Sequence, residues 1–449
     1  MSSRFLTAMP LAIRLSTALA ALAALIGLTS LSARPACAAP ANPVPAPLPD
    51  PETPYFSATA PLSMVLKNAQ WFDGKGFQQG TLYVQDGRFT HKRPKGKPQR
   101  LMDFKGLFLL PPLADAHNHN LQTLWGFARF APSYLRDGVF YAAMQCGEPK
   151  AIAEIRPIAT QAASPEVIFS TVCITSSDGQ PLAQLVGDEG KAKADEFIDK
   201  AVLVMDSAAD VDKKWPQVTP RKTDWVKLII SRSESPELRN DPKLWGRLGL
   251  RPEVVPAIVK RAHQDGLKVV AQADTAADFN LAVQAGVDML ARLPGLVFFD
   301  GSHAERYRIS AEASAEAARR RVSVITAIAA SRYFDMPEAT LAAVRLLQAD
   351  NLQRLQEAKV PLLLGSDLYS GTALAELRQL DALGVIERAN LLRIATIDTP
   401  KALFPKRRIG CFDEGCEASF LLLKNNPLKE LETLDHIQMR VKQGRILSQ

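Results

Sequence analysis

Two histidines, His117 and His119, close the apolar run LADAHN. On an extended strand, residues i and i+2 face the same side. Both imidazoles can therefore bite one metal ion. The chain holds only six histidines, so a pair at this spacing is specific; the competing reading is a structural or vestigial pair. Asp367 ends a later apolar run, LLLGSD. Its carboxylate could join the same metal and take a proton from a bound water, or it could simply cap the next helix. Lys227 interrupts the apolar run WVKLIIS. A buried lysine is costly unless it is paired or chemically altered, and pairing to a nearby carboxylate is the simpler of the two. His263 falls on a charged helical face beside Lys260 and Arg261, and His91 beside Lys92 and Arg93. His303 lies in a loop and His436 in the tail. Gly-x-Ser-x-Gly is absent, which removes support for a serine-hydrolase elbow.

These groups need a frame. Eight short apolar runs, from LADAHN to VPLLLGSD, alternate with helical stretches such as RPEVVPAIVKRAHQDG. Strands buried on both faces with helices between them predict an α/β fold, a (β/α)8 TIM-like barrel. In such a barrel the C-terminal strand ends carry the chemistry, which is where His117, His119 and Asp367 fall. Residues 62–110 and 408–449 read as strands and turns flanking the barrel region, 111–407. They predict a small β-sandwich domain built from both ends of the chain.

Residues 1–38 have the form of a secretory signal peptide: Arg4 and Arg14, an apolar Ala/Leu stretch, then Ala36-Cys37-Ala38. The Pro/Ala-rich segment 39–61 predicts an extended linker. Export to a bacterial periplasm follows as an expectation, with no stable membrane span after cleavage, because no later run reaches the ~18 apolar residues required. An oxidising compartment permits two disulfides. Cys411 and Cys416 flank a plausible turn, and Cys146 and Cys173 lie on consecutive strand candidates. The formal charge is +7, and three of the cations, Arg4, Arg14 and Arg34, lie in the leader. The remainder is mildly basic. Its one basic run, HKRPKGKPQR, is broken by Pro and Gly and lacks aromatic residues. Nucleic acid is thus a poor partner, a small molecule a better one, and oligomerisation is left open.

From about residue 62 onward the sequence resembles the amidohydrolase superfamily, in its imidazolonepropionase-like and dipeptidase-like branch. The resemblance is carried by KNAQWFDGKG, GLFLLPPLADAHNHN, GVDMLARL, LLLGSD and LLRIATIDTPKALF…RIGCFDEGCEASFLLLKNNPL, in that order. It implies a metal-dependent hydrolase, commonly with zinc. One metal would sit on His117, His119 and Asp367, and Lys227 would match the family's bridging, often carbamylated, lysine. The chain departs from the family at the second metal. Gln272 and Asp274 stand in AQAD where the family has Val-His-Ala-His. Arg292 stands where strand six usually ends in Glu-His, and Asp178-Gly179-Gln180 where Gly-Gly-His-Gly would be. Arginine stays protonated and cannot ligate.

The resulting expectation is an exported hydrolase of C–N bonds (amide, peptide or cyclic amide) with one divalent metal and Asp367 as base. Arg292, Gln272 and Asp274 would face the substrate, with Arg292 gripping a substrate carboxylate or pairing with Asp274. The alternative is a catalytically inactive barrel that binds a small ligand.

Overall fold

The structure is a computed structural model that describes residues 56–449 apart from Asp300. The leader and most of the 39–61 linker lie outside the described residues. The parallel strands are β1 (Leu113–Asn118), β2 (Val139–Met144), β3 (Glu166–Phe169), β4 (Val172–Thr175), β5 (Trp225–Ile230), β6 (Lys268–Ala273), β7 (Met289–Leu290), β8 (Ser323–Ile325) and β9 (Leu362–Leu363). Every residue of β1, β2 and β5 is buried. That is the pattern of strands covered on both faces, and it explains their near-continuous hydrophobic runs.

All the predicted strands are present, but their ladders do not close into one ring. β1–β2–β3 form one parallel sheet, and β4–β5–β6–β7–β8–β9 another, with Leu203–Val204 added at the β4 edge. The run EVIFSTVCI, expected as a single strand, is split at Ser170-Thr171 into β3 and β4. Ser170 turns its hydroxyl onto the Val172 carbonyl (2.9 Å) and Thr171 bonds to Thr223 and Arg221 outside the ladder. At the other seam three backbone bonds set β1 beside β9 and the turn after it: Ala116 N–H to Leu364 O at 2.8 Å, and the Ser366 and Asp367 N–H groups to His117 O at 3.1 and 2.6 Å.

Helices cover these sheets, and their ends follow local rules. Ala276–Ala285 begins in a capping box of Thr275 and Asp278 and ends at Gly286, whose φ of 84° suits glycine. Among the described residues no helix is long and apolar enough to cross a membrane.

The two ends of the chain make one nine-stranded mixed sheet rather than two separate sheets. Met64–Phe72 pairs with Phe77–Gln85, and Phe108–Leu110 pairs with Phe420–Leu423 from the tail. The sheet carries its own core, including Phe89, Phe104, Phe412 and Phe420. Ser57–Ala58, expected as solvated linker, is a strand paired with the chain's last strand, Arg445–Ser448. Both anticipated disulfides are formed, Cys146–Cys173 and Cys411–Cys416.

An ion cluster ties the terminal sheet to the parallel strands. The Arg407 guanidinium meets Glu417 twice, at 2.8 and 2.6 Å, and Glu166 of β3 twice, once at 3.0 Å. Gln443 bonds both carboxylates, and Lys442 lies 3.5 Å from Glu166.

Candidate metal centre

β1 ends at the mouth of the parallel strands and delivers His117, 1% exposed, with His119 just beyond it. The Nδ1 of His117 lies 2.6 Å from the Ala291 carbonyl oxygen. That oxygen only accepts, so the proton sits on Nδ1 and Nε2 presents its lone pair. Burial holds the His117 imidazole well below its usual pKa, keeping it neutral. Asp367 follows β9 with a φ of 50°, a left-handed turn that aspartate tolerates better than most side chains. Its N–H bonds the His117 carbonyl at 2.6 Å. The next helix, Ala373–Leu383, is capped by Thr372 instead, so Asp367 is free of the capping role.

Three donor atoms converge here. His117 Nε2 and His119 Nε2 are 3.2 Å apart, and each is 3.4 Å from Asp367 Oδ1. A tetrahedral ion with ligand bonds of about 2.0–2.1 Å separates its donors by about 3.3–3.4 Å. The triangle therefore fits a zinc-sized divalent ion, and the set could hold one. Burial would raise the Asp367 pKa, yet His117, His119 and Arg292 together hold it far below the carboxylate range.

Beneath the triangle, buried Asp115 accepts from the Ser366 hydroxyl (2.7 Å), the Ser366 N–H (2.9 Å) and Asn118 (3.2 Å). It locks the end of β1 to the Asp367 turn. Above it, the Tyr369 ring stacks on His119 with centroids 5.7 Å apart.

Beside the triangle the structure brings Gln272, Asp274, Arg292 and Lys227 together. Arg292 Nη2 meets Asp274 Oδ1 at 2.5 Å, and Nη1 meets Asp367 Oδ2 at 3.3 Å. Both arms of the guanidinium are thus engaged by protein carboxylates. Burial would raise Asp274, but Arg292 keeps it ionised, below its usual pKa. Gln272 donates to Gln180 (3.1 Å) and to Asp274 Oδ1 (3.3 Å). Lys227 is 1% exposed and its Nζ makes no hydrogen bond, so the simple ion pair is not formed. Burial pushes its pKa down to about 7. A narrow cavity reaches this group, lined by Asp274, Arg292, Leu296, Phe299 and Phe334.

Sequence reasoning missed Ser231 and Tyr369. Ser231 stands four residues after Lys227, just past the end of β5, where period-two spacing was the available signal; Tyr369 lies in the turn after Asp367 and offered none. Among the described residues no other histidine joins the cluster. His263 pairs with Asp288 at 3.0 Å on an exposed face.

No family model matches the sequence, and no curated protein matches it. Solved structures do. An amidohydrolase matches with a TM-score of 0.67 and 20% identity, covering 86% of this chain and 98% of the other. A Xaa-Pro dipeptidase with methionine in its active site matches with a TM-score of 0.67 and 16% identity over 86% and 99%. Ochratoxinase from A. niger matches with a TM-score of 0.66 and 16% identity over 86% and 96%. The chain shares its fold with these solved structures.

Proposed function

We propose that this amidohydrolase-fold chain is an exported hydrolase of C–N bonds, working with one divalent ion, zinc first among the candidates, held by His117, His119 and Asp367. The observation that carries the reading is the donor triangle at the strand ends, with edges of 3.2, 3.4 and 3.4 Å. Similarity to a Xaa-Pro dipeptidase, a molinate hydrolase and a phenylurea hydrolase B supports the bond class. The two disulfides support an oxidising compartment. We read the parallel strands as the superfamily's (β/α)8 barrel, opened at the Ser170-Thr171 break, and the terminal sheet as its small companion domain.

An ion at the triangle would polarise a substrate carbonyl and acidify a water. The chain's own groups do the rest. His117, fixed by Ala291, and His119, backed by Tyr369, orient the site. Asp367 stands beside both imidazoles, where it is placed to accept a proton from water and pass it to the leaving amine. Arg292 fixes Asp367 Oδ2, so the carboxylate keeps one oxygen toward the imidazoles. The enclosing side chains narrow the approach, which suits a small substrate.

The test is metal content of purified protein with a hydrolysis screen of dipeptides, N-acyl amino acids and cyclic amides. Expected are bound divalent metal and a chelator-sensitive activity that His117→Ala abolishes. Metal-free protein after reconstitution refutes the reading. A second reading, ligand binding without turnover, is favoured by one feature, the protein network around Arg292. Metal-loaded protein that binds a screened compound without cleaving it would select that reading.

A further inference from the structure

Next to the donor triangle lies a position that is filled by protein. Asp274 Oδ1 takes Arg292 at 2.5 Å and Gln272 at 3.3 Å; Oδ2 takes the Ser231 hydroxyl at 2.5 Å and Gln180 at 3.1 Å. A carboxylate offers about four lone-pair sites, so Asp274 is saturated by protein donors. Its second neighbour, Gln272, turns its NH2 inward. That group cannot ligate, and neither can a guanidinium. Asp367, the one carboxylate that reaches both sides, spends Oδ1 on the imidazoles and Oδ2 on Arg292.

We propose that the Arg292 guanidinium stands permanently where a second metal ion would sit, so that the chain binds one divalent ion and keeps Lys227 as an unmodified amine. This rests on the one-metal reading above. A fixed cation at that point does two jobs a second ion would do: it neutralises Asp274, and it holds the outer oxygen of Asp367. It also disfavours a second ion beside Asp274, because the guanidinium already fills that position and answers that carboxylate. Lys227 carbamate would form from the amine and CO2 with release of one proton, and the resulting anion needs cations to hold it. Here the guanidinium is already shared between two carboxylates, and the surrounding lone pairs are taken. The Lys227 amine therefore has no partner for a carbamate.

The position also explains an otherwise costly arrangement. A buried lysine with no hydrogen bond is unusual, and a buried arginine needs its charge answered. Asp274 and Asp367 answer Arg292. Lys227 is left without a hydrogen bond, its charge answered only at longer range by the same carboxylates.

The experiment is elemental analysis of the full exported chain after incubation with excess Zn2+ and gel filtration, together with 13C NMR in 13C-bicarbonate. One ion per chain and no carbamate signal are expected. Two variants complete it. Arg292→Lys keeps a cation and should stay at one ion. Arg292→His removes it, supplies a ligand and should rise to two. Two ions in the wild type, a carbamate on Lys227, or a folded Arg292→His chain that still holds one ion would overturn the proposal. Wild-type protein that holds no ion would instead overturn the one-metal reading beneath it, so the two failures are distinct. If Arg292→His does not fold, the wild-type stoichiometry and carbamate signal decide the question alone.

Discussion

Arg407→Met should loosen the junction between the terminal sheet and the parallel strands. The native guanidinium, 22% exposed, answers Glu166 and Glu417, which are 17% and 9% exposed. Removing it leaves two carboxylates with Gln443 and the amine of Lys442 to share. Breaking a buried pair by deleting one partner costs about 3–5 kcal/mol. Partial exposure and the nearby lysine place this case at the lower end, about 3 kcal/mol. Lost packing adds to it, because the guanidinium lies over the Phe404 and Tyr141 rings, 5.2 and 5.5 Å from their centroids. Two companions separate charge from shape. Arg407→Lys keeps the charge without the two-sided fork and should lose about half as much. Arg407→Met with Glu417→Gln removes one orphaned charge and should recover about 1–2 kcal/mol. Urea unfolding followed at the first transition reads all four proteins, with unchanged slope required for comparison. Arg407→Met within about 0.5 kcal/mol of wild type, or Lys equal to Arg, would refute the reasoning.

Three further outcomes follow from buried groups. Glu376 accepts the Ile328 and Ala329 N–H groups in a fully buried site; burial pushes its pKa up to about 7, from 4.5. Its contribution is fully present below about pH 4.5 and is lost as pH rises through 7, a fall of about 3 kcal/mol; Glu376→Gln should flatten that part of the stability profile, and an unchanged slope would count against it. Asp115→Ala strands the Ser366 and Asn118 donors and should cost about 3 kcal/mol, with metal affinity down about 10–100-fold by calorimetry; full affinity would show that Asp115 does not position the ligands. Alkylation of denatured, unreduced exported protein should find none of Cys146, Cys173, Cys411 and Cys416 free; four labelled thiols would reject both bridges.

The strand order was legible because β1, β2 and β5 are buried along their whole length, which keeps their sequences largely apolar between the helical stretches. The break at Ser170-Thr171 was not, since it depends on side-chain bonds to Thr223 and Arg221, about fifty residues downstream. Ser57–Ala58 was hidden for a similar reason: nothing local makes a strand of two residues, and its partner lies at the far end of the chain. At the site, His117, His119 and Asp367 were readable from spacing alone. Arg292 was readable as a misfit, a cation where a ligand was expected. What its two arms hold was not, because Asp274 and Asp367 approach it from different strands. Arg407 gave no signal at all; it sits in LFPKRRIG among other cations, and only the fold selects it.

The pairing of Ser57–Ala58 with Arg445–Ser448 spans 391 residues. Synthesis runs from one end, so the first of these strands waits for the last. The parallel strands can organise earlier, since most of their neighbours follow one another in sequence, whereas distant pairings form late. The terminal sheet is therefore the last of the described sheets to be completed. A polypeptide cut short by a handful of residues would leave Met439–Lys442 and Ser57–Ala58 with open edges. Such edges are templates for pairing with another chain, so the two short outer strands shield the sheet from association at the cost of a contact made across nearly four hundred residues.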